Sequence, residues 1–409
     1  MIHDKPHVLV LNGGSSSIKF AVYRMDDPPQ RQLNGKVDRI GLRDTHFTYS
    51  APDRDGPESR DIGDLDHPAA AAFLIDWIDG KFKLASLAAA GHRVVTGGAR
   101  YSEAQLVTRE MMEELRRISA YAPEHLPAEL ALIDLLQQRR ASLPQVACFD
   151  TAFHRDLPRV ARILPIPRRF QDQGVVRYGF HGLSYSFLMD ELARIRGDEA
   201  SRGRVILAHL GNGASLAAVR DGKCIDTSMG FTPAAGVPMG KRSGDLDPGL
   251  VWYLAQTEHM TAEQFHHMVN HESGLLGVSE TSSDLRDLLA REEEDVRAAE
   301  AVGLFCYQVR KFIGAYAAAL GGLDTLVFAG GIGENAPEIR SRICAELEFL
   351  GVQLDPANNA GNAPVISVAG CRVEVRVIRT DEEMMIAKAL ARLLGETMIR
   401  HSNSKEIGA

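Results

Sequence analysis

The chain predicts an α/β protein of two domains with duplicated topology, and three observations lead there. At 409 residues it exceeds what one hydrophobic core usually organises. A strand, Asn-Gly turn, Ser, strand pattern occurs twice: residues 8–23 read VLVLNGGSSSIKFAVY and residues 205–219 read VILAHLGNGASLAAV, roughly 200 residues later, about one domain's length. Each copy is followed by further strands and then by helices.

The first copy carries more polar groups than a hairpin turn needs. Between strand 8–11 and strand 18–23 lie Asn12, Gly13, Gly14, Ser15, Ser16 and Ser17, and the second strand brings Lys19 beside them. Backbone N–H groups, hydroxyls and an ammonium in one place suit phosphate oxygens. Taken alone, the stretch is most simply a polar surface hairpin. Its near-copy at 205–219 changes that, because two such hairpins suggest a clamp.

Composition narrows the class. The content is ordinary for a globular protein, 45% hydrophobic and 24% charged, and a net charge of −8 gives no reason to expect nucleic acid or an anionic membrane as partner. The apolar run 8–11 is far too short for a signal peptide or a membrane span, so a cytoplasmic protein is expected. Five scattered cysteines without CxxC spacing argue against a disulfide framework and against zinc.

The remaining elements follow in order. Asp26-Asp27-Pro28-Pro29 and Asp53-Arg54-Asp55-Gly56-Pro57 mark loops between short strands up to about His67. Residues 69–78 form an amphipathic helix, and Gly91-His92-Arg93-Val94-Val95-Thr96-Gly97-Gly98 places Arg93 in a short strand, where it either snorkels to solvent or faces a ligand. Helices at 108–120 and 127–140 are separated by Pro123 and opened by Pro127. Strand 145–149 delivers Asp150 at its C-terminal end, where open α/β sheets place ligand groups; Asp150-Thr151-Ala152-Phe153-His154 is thus a candidate site segment, although Asp there also serves as a cap or turn residue. His181, within Tyr178-Gly179-Phe180-His181-Gly182, is accessible or structural by the same ambiguity.

Residues 236–241 hold three residues between Gly236 and Gly240 where a P-loop needs four, which excludes one; Arg242 remains a fixed cation. Ser282 or Ser283 is expected to cap a helix containing Asp284, Leu285 and Arg286, and residues 292–295 to form a solvated face. Helix 299–320 ends at Gly321-Gly322. Strand 325–329 runs into the Gly-rich turn Gly330-Gly331-Ile332-Gly333-Glu334-Asn335 before a helix opened by Pro337, a nucleotide-site geometry. Strand 373–378 precedes Thr380-Asp381-Glu382-Glu383, read as a capping box in which Glu383 closes the box, Glu382 points elsewhere, and the helix returns to the first domain. Two polar hairpins, a Gly-rich strand-to-helix turn, cations at Lys19, Arg93 and Arg242 with His181, and carboxylates at Asp150 and Glu382 make a phosphoryl-transfer set.

On these residues the chain resembles the acetate kinase family, within the actin, Hsp70 and sugar-kinase superfamily. The motifs NGGSSSIKF, GHRVV, FDTAFH, YGFHG, HLGNGAS, RSGDLDP, GGIGEN and TDEE occur in order over nearly the whole length. The resemblance implies two ribonuclease H-like (actin-like ATPase) domains around a central cleft, residues 1–150 plus about 382–409 for the acyl substrate and 151–381 for the nucleotide. It implies reversible phosphoryl transfer from ATP to acetate, giving ADP and acetyl phosphate, in a homodimer. Asn12 and Glu382 would hold Mg²⁺, with Mn²⁺ as the alternative ion, and Lys19 would contact ATP. Arg93 would bind the substrate carboxylate, while His181 and Arg242 stabilise the transferring phosphoryl group. His209, Leu210, Gly211, Asn212, Gly213, Asp284, Leu285, Arg286, Gly331, Ile332, Gly333, Glu334 and Asn335 would line the nucleotide. Asp150 is the family's catalytic carboxylate. An acetate-like nucleophile is already ionised at neutral pH, so Asp150 is expected to orient Arg or Mg²⁺ rather than to act as a base.

Four positions depart from the family pattern. Glu124 and Leu126 stand where the segment APLHNP has leucine and asparagine, Thr96 replaces a histidine, and Lys241 replaces a threonine. Propionate or another short carboxylate therefore stays open as substrate. The other readings are a sugar kinase, in which Asp150 would be a true base, and an ATP-driven scaffold needing no small carboxylate.

Overall fold

The computed structural model describes residues 5–14, 16–52 and 56–406, so Ser15 of the first turn and Asp53-Arg54-Asp55 of the predicted loop lie outside the described residues. The chain divides into two compact units. One runs to Ala152 and resumes at Asp381; the other is Phe153–Thr380.

The first unit is built on an eight-stranded sheet. Its strands are β1 (His7–Gly13), β2 (Ser17–Arg24), β3 (Gln30–Asp38), β4 (His46–Ser50), β5 (Glu58–Asp61), β6 (Leu87–Val94), β7 (Gln105–Leu106) and β8 (Gln145–Phe149), in the order β5-β4-β3-β2-β1-β6-β8-β7. Strands β1 to β5 pair antiparallel in sequence, whereas β1, β6 and β8 run parallel. Alternate residues of β1 and β2 (Leu9, Leu11, Phe20, Val22) join Phe47, Leu74 and Ile78 in one core, under the helices His67–Phe82 and Leu126–Arg139. Trp77 packs edge-on against Phe47 at 4.8 Å between ring centroids.

The opposite face of this sheet carries the helix Glu382–Glu406. Its approach depends on Gly91 of β6: a Cβ there would lie 2.4 Å from Ile386 Cγ2 and 2.9 Å from Leu390 Cδ1. Any side chain at that position pushes the helix off the sheet.

The second unit repeats the central five strands. They are β9 (Val205–Leu210), β10 (Ala214–Arg220), β11 (Lys223–Thr227), β12 (Thr325–Ala329) and β13 (Glu374–Val377), in the order β11-β10-β9-β12-β13. Antiparallel pairing holds from β9 to β11 and parallel pairing from β9 to β13. This matches β3-β2-β1-β6-β8 in order and direction, so the duplication anticipated from two hairpins extends to whole sheets. The helix Gly182–Arg196 contributes Leu188 and Leu192 to the core of this sheet, and Val296–Leu320 buries Phe305, Val309 and Ile313. Gly321 ends the latter, as expected, and does so in the left-handed conformation at φ 73°.

Four local expectations are corrected. The cap of the helix Leu285–Leu289 is Asp284, whose carboxylate accepts from Arg286 N, while Ser282 Oγ accepts from Asp284 N one step earlier. Gly330–Asn335 is a short helix rather than an open turn, entered from the extended Ala329 through Gly330 in the left-handed conformation at φ 76°. The helix from Glu382 is capped by Asp381, which accepts from Met384 N at 3.0 Å; Thr380 and Glu383 form no capping box, since both side chains bond elsewhere. Glu292 is not merely solvated: it forms a two-bond fork with Arg342.

Candidate active site

In the first unit the predicted residues gather at the ends of β1, β6 and β8. Asn12 and Lys19 are cross-strand partners in the hairpin. Asn12 Nδ2 donates to Glu382 Oε2 at 2.9 Å and to Glu383 Oε1 at 3.2 Å, joining residues 370 positions apart. The nearby Glu382 charge raises the Lys19 ammonium above its ordinary range, against burial that would lower it. Burial pushes the Glu383 carboxyl up, and the like charge of Glu382 adds to this while Lys19 opposes it.

Arg93 lies near the C-terminal end of β6, in a strand as expected, beside Asp150, whose expected placement at the end of β8 holds. Asp150 Oδ2 accepts from Arg93 Nε at 3.0 Å and from Nη2 at 2.6 Å. Arg93 Nη1 donates to Gly13 O at 3.2 Å and to Glu129 Oε1 at 2.5 Å. The other Glu129 oxygen accepts from Val95 N at 2.8 Å. Burial alone would weaken the guanidinium charge; the fields of Asp150 and Glu129 outweigh it and hold Arg93 above its ordinary range. One guanidinium cannot neutralise two buried carboxylates equally, and burial pushes the Glu129 carboxyl up to about 7.

Glu129 was missed by sequence reasoning, although a signal existed. It sits with Leu126, Leu130, Ile133 and Leu136 on the buried stripe of its helix. A carboxylate on an apolar stripe is rarely tolerated without a cation.

In the second unit the hairpin β9–β10 faces a different set. His181 takes the left-handed conformation (φ 58°) just before the helix Gly182–Arg196, and Nδ1 lies 2.8 Å from Ser215 Oγ on β10. Its ring stacks on His209 at 4.4 Å, and His209 Nδ1 pairs with Ser184 Oγ at 2.8 Å. A Cβ on Gly213 would sit 3.3 Å from His181 Nε2 and 3.7 Å from Arg242 Nη1, so the bare hairpin tip leaves room for both side chains. Arg242 Nη1 is aimed by a bond to Pro233 O at 3.1 Å.

His154, part of the candidate segment, is a strut instead. Its Nε2 donates to Phe180 O at 2.9 Å and Nδ1 lies 3.1 Å from Cys224 Sγ. Burial pushes its imidazole down to about 4. Gly179 must be glycine beside it, since at φ 71° a Cβ would meet the His154 ring at 2.6 Å.

A cavity of about 580 Å³ opens beside the second hairpin. Gly211, Asn212, Asp284, Leu285, Arg286, Gly331, Ile332 and Asn335, all predicted for the nucleotide, line it, together with Gly240, Leu275, Ser283, Leu289, Phe305 and Ala336, which were not. Its size and its mix of apolar walls with a few polar groups suit a nucleoside-sized ligand. Five predicted residues are not among its lining. His209 turns to His181 and Ser184; Leu210 is fully buried; Gly213 borders His181 and Arg242; Gly333 is buried and its carbonyl accepts from Arg340; and Glu334 Oε1 accepts from the backbone of Gly330 and Thr380.

Comparison with known proteins fits this arrangement. The model of the acetokinase family matches residues 7–388. An acetate kinase of Rhodopseudomonas palustris is 46% identical over 394 residues, 94% of this chain and 98% of that protein. A propionate kinase of Citrobacter rodentium is 42% identical over 403 residues, 97% of this chain and 99% of its own. Among solved structures, the acetate kinase of Porphyromonas gingivalis superposes with a TM-score of 0.84 at 36% identity, covering 95% of this chain and all of that one. The duplicated actin-like ATPase fold expected from the sequence is borne out.

Proposed function

The chain belongs to the acetokinase family, and on that premise we propose that it catalyses reversible phosphoryl transfer from ATP to acetate, giving ADP and acetyl phosphate. The observation that carries this reading is the Arg93–Asp150 pair at the ends of two adjacent parallel strands, a fixed cation where a carboxylate substrate can be received.

Acetate is ionised at neutral pH, so no proton has to be removed before its oxygen attacks the γ-phosphorus. Asp150 therefore works through Arg93, fixing the plane of the guanidinium that positions the acetate oxygens. As the P–O bond to ADP breaks and the bond to acetate forms, charge spreads over the equatorial phosphoryl oxygens. His181 and Arg242 supply positive or donating groups for that charge, with His181 oriented by Ser215. Lys19 meets the phosphates, and the cavity beside Asn212 takes the nucleoside.

Mg²⁺ fits the first unit by the chemistry of its donors. Two carboxylates crowd one neutral amide, and a hard divalent cation with oxygen preference relieves that crowding. Asn12 and Glu382 would hold the ion, which supplies charge neutralisation to the phosphates.

We further propose a homodimer located in the cytoplasm. The helix Gly249–Thr257 buries none of its side chains, and Trp252 (70% exposed) and Tyr253 (57%) stand out from it, an unusual face for a solvated helix. No helix among the described residues is long and apolar enough to cross a membrane.

Hydroxylamine trapping of acyl phosphate, run with acetate, propionate, butyrate and a panel of sugars, tests the reading. The highest kcat/KM is expected with acetate and measurable turnover with propionate, as one relative is named a propionate kinase. Sugar phosphorylation without acyl hydroxamate would overturn it.

A further inference from the structure

The Arg93 guanidinium has five N–H bonds, and four are already committed inside the protein. Nε–H and one Nη2–H go to Asp150 Oδ2, and the two Nη1–H groups go to Glu129 Oε1 and Gly13 O. A carboxylate gains most from an arginine when it takes two parallel N–H bonds. Only one remains, so an internal partner must give way.

The three partners differ in what they can surrender. Gly13 O belongs to β1, whose ladder fixes its position. Asp150 holds its two N–H bonds with a single oxygen, across the Nε side of the fork. Glu129 has a backbone anchor of its own: its Oε2 stays bonded to Val95 N when Oε1 lets go. Its side chain is only 1% exposed, and it lies in the first turn of its helix, where the positive end of the backbone dipole favours a carboxylate. The carboxyl beside Arg93 is therefore built in rather than incidental, and it carries its negative charge above a pH of about 7.

Resting on the reading that Arg93 receives the substrate carboxylate, we infer that Glu129 competes with that carboxylate for the Arg93 guanidinium and so sets the affinity for the acyl substrate. Each binding event exchanges the Glu129–Arg93 bond for a substrate–Arg93 bond. The net gain is the difference between two similar ion pairs, and the KM is correspondingly high. Glu129 is not among the residues that line the nucleotide cavity, so the competition is expected to act on the acyl substrate.

The test is steady-state kinetics on the full-length enzyme with Glu129→Gln, Glu129→Met and Arg93→Lys, alongside thermal melts. Removing the charge at 129 is expected to lower the acetate KM about fivefold to tenfold, a change of about one ion-pair interaction, while the ATP KM stays within about twofold. Met keeps the volume if Gln does not fold, and is expected to shift the acetate KM in the same direction. A folded variant whose acetate KM is unchanged or raised would overturn the inference, as would equal changes in both KM values, which mark a merely structural residue. Arg93→Lys separates the premise: it should raise the acetate KM, and a wild-type value there would sink the reading of Arg93 itself.

Discussion

The two hairpins share strand order and direction yet carry opposite chemistry. Around β1–β2 the cluster is ionic: Lys19 and Arg93 are set among Asp150, Glu129, Glu382 and Glu383. Around β9–β10 it is built from imidazoles and hydroxyls, with His181 and His209 stacked and held by Ser215 and Ser184 and with Arg242 beside them. In the first unit function and stability are therefore coupled, because a buried charge cannot lose its partner cheaply. In the second, hydroxyl and imidazole groups can be removed without stranding a charge.

The sharpest way to break this contrast is Arg93→Ala. It leaves two buried carboxylates facing each other, and stability should fall by about 3–5 kcal/mol while acyl phosphate formation is lost. Denaturant unfolding with a parallel hydroxamate assay measures both, and a variant as stable as wild type would contradict the coupling. His181→Ala is the counterpart in the second unit: kcat should fall roughly 100-fold to 1,000-fold with a much smaller change in the melting temperature. A large loss of stability there would erase the distinction.

A pH series sharpens it further. Glu129 has its folded pKa raised from 4.5 to about 7, so between those values the folded protein holds a proton that the unfolded chain lacks. Stability from this group is present at low pH and is lost as pH rises through that window, by about 3 kcal/mol at the limit. His92 and His154 act in the other direction. Burial lowers each from 6.5 to about 4, so their contribution is full above 6.5 and is lost as pH falls toward 4. Melting curves of Glu129→Gln should lose the Glu129 part of the slope between pH 4.5 and about 7 while the histidine slope remains; an unchanged wild-type profile would remove Glu129 from the account.

The smallest effect is expected at Lys19→Ala. The Lys19 side chain reaches solvent on β2 while its ammonium lies near Glu382 and Glu383, so less charge is stranded by its loss than at Arg93; the fold should persist while the ATP KM rises about tenfold. Failure to fold would return the first hairpin to a structural role.

How much of this was legible beforehand follows from range. Asn12, Lys19, Arg93, Asp150 and His181 were readable because turn chemistry, strand ends and glycine flanks are local signals. The helix Gly330–Asn335 was misread for the same reason: three glycines in six residues disfavour helix locally, and packing of Gly333 against Phe328 and Ala208 overrides that preference. Glu383 was assigned to a cap because the spacing allows it, whereas Asn12 on a strand far away in sequence claims its carboxylate.

By itself the sequence determined the α/β class, the duplicated hairpins, most of the strands and helices, and the residue types that phosphoryl transfer requires. Those depend on periodicity and on backbone chemistry within a few residues. Only the tertiary structure decided the pairings: Asn12 with Glu382, Arg93 between Asp150 and Glu129, and His181 against Ser215. A charge's partner is chosen by which side chains share a buried space, and that space is defined only once the sheets and helices have packed.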